Sequence, residues 1–289
     1  MSPTSSASPD QDTRRPAAYF DLDKTILATS TAFALSTPMH RSGLLSTVAL
    51  ARGVVAQLPY LLVGAGASRT TRLMDRLATL TAGLPRRRLQ EVVQGALSTA
   101  IEPAVYAEAL DLIAGHRQAG HDVVVVSASL AEIVEPVAQV LGADRAVATT
   151  LEVDANGRFT GRIRRRLLHE EKSRALAEDA QAHGVDLSRS WAYSDSSSDE
   201  PMLTAVGHPV AVNPDRSLRR LAEARGWPVR DFERPVTLRT TWQPRWPALP
   251  RPRGPLPGAL AGSLSILAAA GTAGWLVARR PERGHLSRP

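Results

Sequence analysis

Apolar and polar positions alternate along this chain in blocks of different period. A short apolar run at residues 16–22 reads as a strand and stops at two aspartates, Asp21 and Asp23. Residues 31–118 are rich in Ala, Leu and Arg at helical spacing, broken at Pro38, Pro59, Pro85 and Pro103. The stretch "GHDVVVVSAS" then places four valines in a row before small polar residues. Four consecutive β-branched residues without alternation suit a strand covered on both faces, as in a parallel sheet.

From residue 118 onward strand and helix patterns alternate. "LAEIVEPVAQVLGA" reads as a helix with Gly142 near its end, and "RAVATTLEV" as a strand. "LEVDANGRFTGRI" reads as a hairpin with Asn156-Gly157 as its turn. "HEEKSRALAEDAQAHG" is a helix closed by Gly184, "SWAYSDSSSDEPML" a strand with a polar loop, "GHPVAVNPD" a strand and "DRSLRRLAEARG" a helix. This order predicts an α/β fold with a parallel sheet. Functional groups in such sheets collect at the carboxyl ends of the strands. Three predicted strands end in polar clusters: "FDLDKT", "VVSAS" and "AYSDSSSD".

Composition removes several classes of chemistry. There is no cysteine among the 289 residues, so disulfides, thiolate metal sites and cysteine nucleophiles are excluded. The net charge of +7 suggests a nucleic-acid partner, but residues 236–289 carry eight arginines against the single acid Glu282. Residues 1–235 are then neutral, and no nucleic-acid partner is expected. Of the 35 basic residues only Lys24 and Lys172 are lysine. Arginine is a poor substitute for a compact ammonium, which marks Lys172. Lys24 reads as a surface or cap contact.

Placed around one crevice, Asp21, Asp23, Ser127, Lys172, Asp195 and Asp199 form a chemical set. Four neighbouring carboxylates need a cation, and hard oxygen ligands without His or Cys favour Mg²⁺ over zinc. A hydroxyl and an ammonium beside it suit a phosphate. Asp21 can attack phosphorus, Asp23 can carry protons, and the metal can shield charge in transfer.

These motifs resemble those of the haloacid-dehalogenase-like hydrolases. "FDLDKT" is similar to the family's DxDxT motif, "VVVVSAS" to its strand-end serine, Lys172 to its third motif and "YSDSSSDEPML" to its DSxxD motif. Their order, with a long helical insert between the first two, resembles subfamily IB, which includes the phosphoserine phosphatases. The resemblance covers roughly residues 16–233. It implies a Rossmann-like core over 16–36 and 100–235, a helical cap over 37–99, Mg²⁺ and phosphomonoester hydrolysis. It also implies Asp21 as nucleophile and Asp23 as acid/base, with Lys172 stabilising charge. Substrate contacts would come from Ser127, Lys172 and Thr25. The metal would lie on Asp21, Asp195 and the backbone carbonyl of Asp23, with Asp199 acting through water or through Lys172. Phosphoserine phosphatases carry a glutamate about nine residues after the nucleophile. Here that region reads "LATSTAF", with Ser30 and no acid, so the expected substrate is another small phosphorylated compound.

The ends of the chain read differently. Residues 1–15 are polar and Ser/Pro-rich, with no apolar core of an export signal, and read as disordered. The apolar insert stretch 43–68 is split by Arg52 and Pro59 and reads as cap helices, with a membrane-facing cap as the alternative. Residues 236–254 form a Pro/Arg-rich linker. Pro255–Ala278 gives 24 residues without a charge, long enough for a transmembrane helix, and 279–289 is a basic tail. Trp242, Trp246 and Trp275 suit interfacial anchoring. The expectation is a cytoplasmic catalytic domain attached to the inner face of the cell membrane. Oligomeric state is not legible.

Overall fold

The computed structural model describes residues 14–44 and 67–233. The expected linker, transmembrane helix and tail over 236–289, and residues 45–66 of the insert, lie outside the described residues. Among the described residues no helix is long and apolar enough to cross a membrane.

Seven strands form one sheet: β1 (Ala17–Phe20), β2 (Asp122–Leu130), β3 (Arg145–Val153), β4 (Phe159–Arg165), β5 (Trp191–Ser194), β6 (His208–Val212) and β7 (Val229–Arg230). Their order is β4-β3-β2-β1-β5-β6-β7, and every pair is parallel except β3–β4. The helices are α1 (Thr31–Ala34), α2 (Ser36–Arg41), α3 (Ala67–Leu80), α4 (Arg86–Ala96), α5 (Ala107–Gln118), α6 (Ala131–Leu141), α7 (Glu170–His183), α8 (Glu200–Thr204) and α9 (Arg216–Arg225).

The valine run behaves as its lack of alternation demands. Val123 and Val125 enter one hydrophobic cluster, Val124 and Val126 the other, and all four are fully buried. The first cluster gathers Phe20 and Leu22 with α5, α6 and the insert residues Leu89, Val93 and Ala96; the second joins Tyr19 to α7, α8 and α9. β1 lies at the centre, and the chain leaves it toward β2 on one side and β5 on the other. This is the arrangement in which a crevice opens beyond the strand ends.

Two local expectations change. The β3–β4 turn contains Asn156-Gly157 but is longer than that pair. Asp154 accepts hydrogen bonds from the backbone N–H of Asn156 (2.8 Å) and Arg158 (2.9 Å), and only Gly157, at φ 72°, takes the left-handed conformation. The aspartate's own turn outcompetes the tighter one. The lead-in is ordered at Arg15, whose backbone donates to Gly184 O (3.1 Å) and accepts from Asp186 N (2.9 Å).

The insert packs directly on the core. Gly83 N donates to Phe159 O (2.8 Å) and Phe159 N to Leu84 O (3.0 Å), which lays the α3–α4 connection along the β3–β4 hairpin. Gly161 at φ 83° lets this approach happen: a Cβ there would lie 3.0 Å from Ala82 Cβ and 3.4 Å from Thr79 Cα. At the other end of the hairpin, Arg86 of the insert donates to the buried Glu132 at the start of α6 (2.8 Å).

Candidate active site

The residues beyond β1 continue the ladder for one step and then turn. Asp21 N donates to Tyr193 O of β5 (2.9 Å), and Ile26 and Leu27 N–H groups fold back on Leu22 O (3.1 and 3.0 Å). This leaves Asp21 buried at the strand end, with Thr25 Oγ1 at 3.4 Å from Oδ2. Lys24, within the turn, is exposed and has φ 63°.

Lys172 reaches this point from the first turn of α7. Its Nζ donates to Asp21 Oδ1 (2.5 Å) and to Asp199 Oδ2 (2.7 Å), and the side chain is only 3 % exposed. Ser194 Oγ adds a second hydrogen bond to Asp199 Oδ2 (2.7 Å). Burial alone would favour a neutral amine. Asp199 and Asp21 outweigh it and hold Lys172 charged, above the ordinary lysine range.

Asp23 is held differently. Its Oδ1 accepts from the backbone N–H of Thr31 (2.7 Å), and its Oδ2 lies 3.1 Å from Ser129 Oγ and 3.4 Å from Thr31 Oγ1. The two hydroxyls are 2.8 Å apart. Ser127, 1 % exposed and placed in β2 where the register with β3 begins to shift, accepts a hydrogen bond on Oγ from Ser129 N (3.1 Å). Asp195 follows β5; its backbone carbonyl accepts from Asp215 N (2.7 Å), and Asp215 also accepts from Ser197 N (2.9 Å), fixing the polar loop.

A family model described as haloacid dehalogenase-like hydrolase matches residues 18–204, which include Asp21, Asp23, Ser127, Lys172, Asp195 and Asp199. The chain belongs to this family. The hydrolase is 45 % identical over 268 residues to an "inhibition of morphological differentiation protein" of Streptomyces azureus, covering 92 % of this chain and 94 % of the relative. It is 46 % identical to a probable phosphatase of Mycobacterium tuberculosis, over 78 % of each chain. Among solved structures, a Bordetella pertussis protein of unknown function superposes with a TM-score of 0.66 at 30 % identity, over 76 % of this chain and 99 % of that one.

The hydrolase's electrostatics follow from burial and crowding. Burial pushes Asp21 up to about 7 even though Lys172 pulls it down, with Asp199 adding to the rise. Asp195 is pushed up to about 8 by burial and then by Asp21, with Lys24 opposing. Burial also raises Asp23, against the hydrogen bonds from Thr31 and Ser129. One buried ammonium therefore serves a site with a surplus of carboxylate, and the donors are all hard oxygens, a set that fits a small divalent cation. The four carboxylates do not form a cage: among the described residues no three metal-binding side chains converge. Asp23 spends both oxygens on protein hydrogen bonds, and Asp199 Oδ2 accepts from both Lys172 and Ser194. Asp21 and Asp195 are the pair whose mutual repulsion a cation would relieve.

Of the expected residues, Lys172 joins Asp21 to Asp199, Thr25 lies beside Asp21, Asp23 and Ser127 are linked through Ser129, and Asp195 is close enough to feel the charge of Asp21. Thr31, Ser129, Ser194 and Asp215 were not singled out from the sequence. Ser129 lies within "VVSAS" and Ser194 within "AYSDSSSD", but nothing in either motif says which serine faces a carboxylate.

Proposed function

We propose that this hydrolase is a Mg²⁺-dependent phosphomonoesterase acting through an aspartyl-phosphate on Asp21. The observation that carries this reading is the buried Lys172 bridging Asp21 and Asp199 beside a separately held Asp23. Lys172 occupies Asp21 Oδ1, leaving Oδ2 as the freer oxygen for attack on phosphorus. In the first step the Asp21–phosphorus bond forms, the bond from phosphorus to the substrate oxygen breaks, and Asp23 gives that oxygen its proton. In the second, Asp23 takes a proton from water, the water oxygen bonds to phosphorus, and Asp21 leaves with inorganic phosphate as product. Lys172 and the Ser127 hydroxyl would hold phosphoryl oxygens. Asp21, Asp195 and the Asp23 carbonyl would hold Mg²⁺, which when bound shields the anionic nucleophile from the anionic phosphate and stabilises charge in transfer.

The substrate we favour is a small phosphorylated metabolite other than phosphoserine. Ser30, where an acid would meet the amine, instead caps α1, its Oγ accepting from Phe33 N (3.2 Å). Attachment to the inner membrane face through 255–278 belongs to the same reading and is supported by sequence alone. Sedimentation of the full chain with membranes, against a chain ending at 235, tests it.

The deciding experiment follows phosphate release from 4-nitrophenyl phosphate by the full chain and by Asp21→Asn. Turnover that needs both Mg²⁺ and Asp21 is expected. Turnover that survives chelation or the Asp21→Asn change would overturn the mechanism.

A further inference from the structure

The sequence around the end of β2 reads Ser127-Ala128-Ser129, and the two serines do different things. Ser127 is at the level of the phosphoryl-binding groups, fully buried. Ser129 touches neither Asp21 nor Lys172. Its backbone N–H donates to Ser127 Oγ at 3.1 Å, and its own Oγ donates to Asp23 Oδ2 at 3.1 Å. One residue thereby links the proposed proton carrier to the hydroxyl proposed to hold a phosphoryl oxygen.

We propose that Ser129 is the positioning residue of this active site: it sets the direction of the Asp23 carboxyl and, with the same few atoms, the direction of the Ser127 hydroxyl. The inference rests on the phosphatase reading above, with Asp23 as the proton carrier. Its warrant is geometric. A carboxylate free at one oxygen rotates about its last torsion, which is broad and has no staggered wells to hold it. Asp23 is fixed at Oδ1 by Thr31 N–H at 2.7 Å. At Oδ2 the shorter contact is Ser129, and the other hydroxyl, Thr31 Oγ1, stands at 3.4 Å. Thr31 Oγ1 is itself 2.8 Å from Ser129 Oγ, so Ser129 is the member of the pair that ties the carboxyl to the sheet. Thr31 opens α1 and Ser129 lies near the end of a central strand, so Asp23 is clamped between two elements far apart in sequence.

The backbone bond matters equally. With Ser129 N–H donating to Ser127 Oγ, one lone pair of that hydroxyl is used and its proton stays free to be donated to a phosphoryl oxygen. Removing the Ser129 side chain leaves this second link in place. The Ser129→Ala variant therefore separates the two effects: it releases Asp23 and spares Ser127.

A general acid matters in proportion to how badly the leaving group needs a proton. This supplies a readout that a merely structural role does not move. The full chain, Asp23→Asn, Ser129→Ala and Ser129→Thr are assayed with Mg²⁺ on aryl phosphates of increasing leaving-group basicity, from 2,4-dinitrophenyl through phenyl to 4-methoxyphenyl. Thermal melts confirm that each variant is folded. The expected result is a shallow dependence on leaving group for the parent, a steep one for Asp23→Asn, and a steep one for Ser129→Ala. On phenyl phosphate the Ser129→Ala loss should reach about tenfold or more, a fraction of the full acid-catalytic effect. Ser129→Thr, which keeps the hydroxyl, should restore the shallow slope. A shallow slope in Ser129→Ala beside a steep one in Asp23→Asn overturns the inference and leaves the phosphatase reading standing. A shallow slope in Asp23→Asn itself removes the acid role of Asp23, and absence of turnover by the parent removes the phosphatase reading and this inference with it.

Discussion

Lys172 is the residue on which the site's charge balance turns. It is 3 % exposed and bonded to two buried carboxylates, so deleting it strands both. Breaking one partner of a buried ion pair costs about 3–5 kcal/mol, part of which protonation of the carboxylates can recover. Lys172→Ala should therefore lower the urea midpoint of the metal-free protein substantially and abolish phosphate release. Lys172→Arg should also fail to turn over substrate, because a planar fork cannot replace a compact ammonium between Asp21 Oδ1 and Asp199 Oδ2. A Lys172→Arg variant with near-parental rate would contradict this. The scarcity of lysine in the composition pointed to Lys172. Ser129 and Thr31 gave no comparable signal, because serine and threonine are common and their partners here lie 106 and 8 positions away.

At the scale of elements, the junction between the insert and the β3–β4 hairpin carries two tests. Gly161→Ala puts a Cβ 3.0 Å from Ala82 Cβ at a φ of 83°, which should cost roughly 1–3 kcal/mol. It should appear as a thermal midpoint several degrees lower, and an unchanged midpoint would show that the α3–α4 connection does not rest on the hairpin. Arg86→Ala leaves the Glu132 carboxylate buried without its partner, and one of its oxygens already has none. A loss of about 1–3 kcal/mol is expected. Arg87→Ala, one residue on, removes only a pair between exposed side chains with Glu91 and should stay within about 1 kcal/mol. Equal effects would mean that burial of Glu132 is not what the bridge offsets. The elements themselves were largely legible, since period and caps agree: Gly142 and Gly184 close their helices as read, and Asp215 caps the last one. The hairpin was legible too, with Asn156-Gly157 inside its turn, but Asp154's own hydrogen bonds make the turn longer than that pair.

The whole molecule should respond to pH and metal through two opposed groups of residues. Asp21 and Asp195 have folded values raised to about 7 and about 8 from an ordinary 3.8, so the folded state holds extra protons. Their contribution is fully present below about pH 4 and is lost as pH rises through 7 and 8. A cation bound between them removes that loss. Mg²⁺ should therefore raise the melting temperature more at pH 8 than at pH 5, and an equal shift at both would argue against Asp21 and Asp195 as its ligands. His116 runs the other way. Burial, then His121 and Arg230, lower it to about 4, so the unfolded chain binds the extra proton. Stability from this group is lost as pH falls from 6.5 toward 4. Between about pH 4 and 6.5 the two effects overlap and the two aspartates outweigh the one histidine, so stability of the metal-free protein should fall from pH 4 to 8, and His116→Phe should steepen the fall below pH 6.5 only.

The sequence by itself determined the α/β order and singled out Asp21, Asp23, Ser127, Lys172, Asp195 and Asp199 as candidates at its strand ends and helix starts. It could do so because periodicity, glycine caps and motif spacing are local properties that survive without the fold. Only the tertiary structure decided that Lys172 bridges Asp21 and Asp199, that Ser129 and Thr31 hold Asp23, and that Arg86 fastens the insert to Glu132. Those contacts join residues from separate elements, and their distances depend on how the fold sets the parallel strands β1, β2 and β5 side by side at the centre of the sheet and packs the helices against them. No local pattern records which of several serines or arginines that packing brings within hydrogen-bond reach.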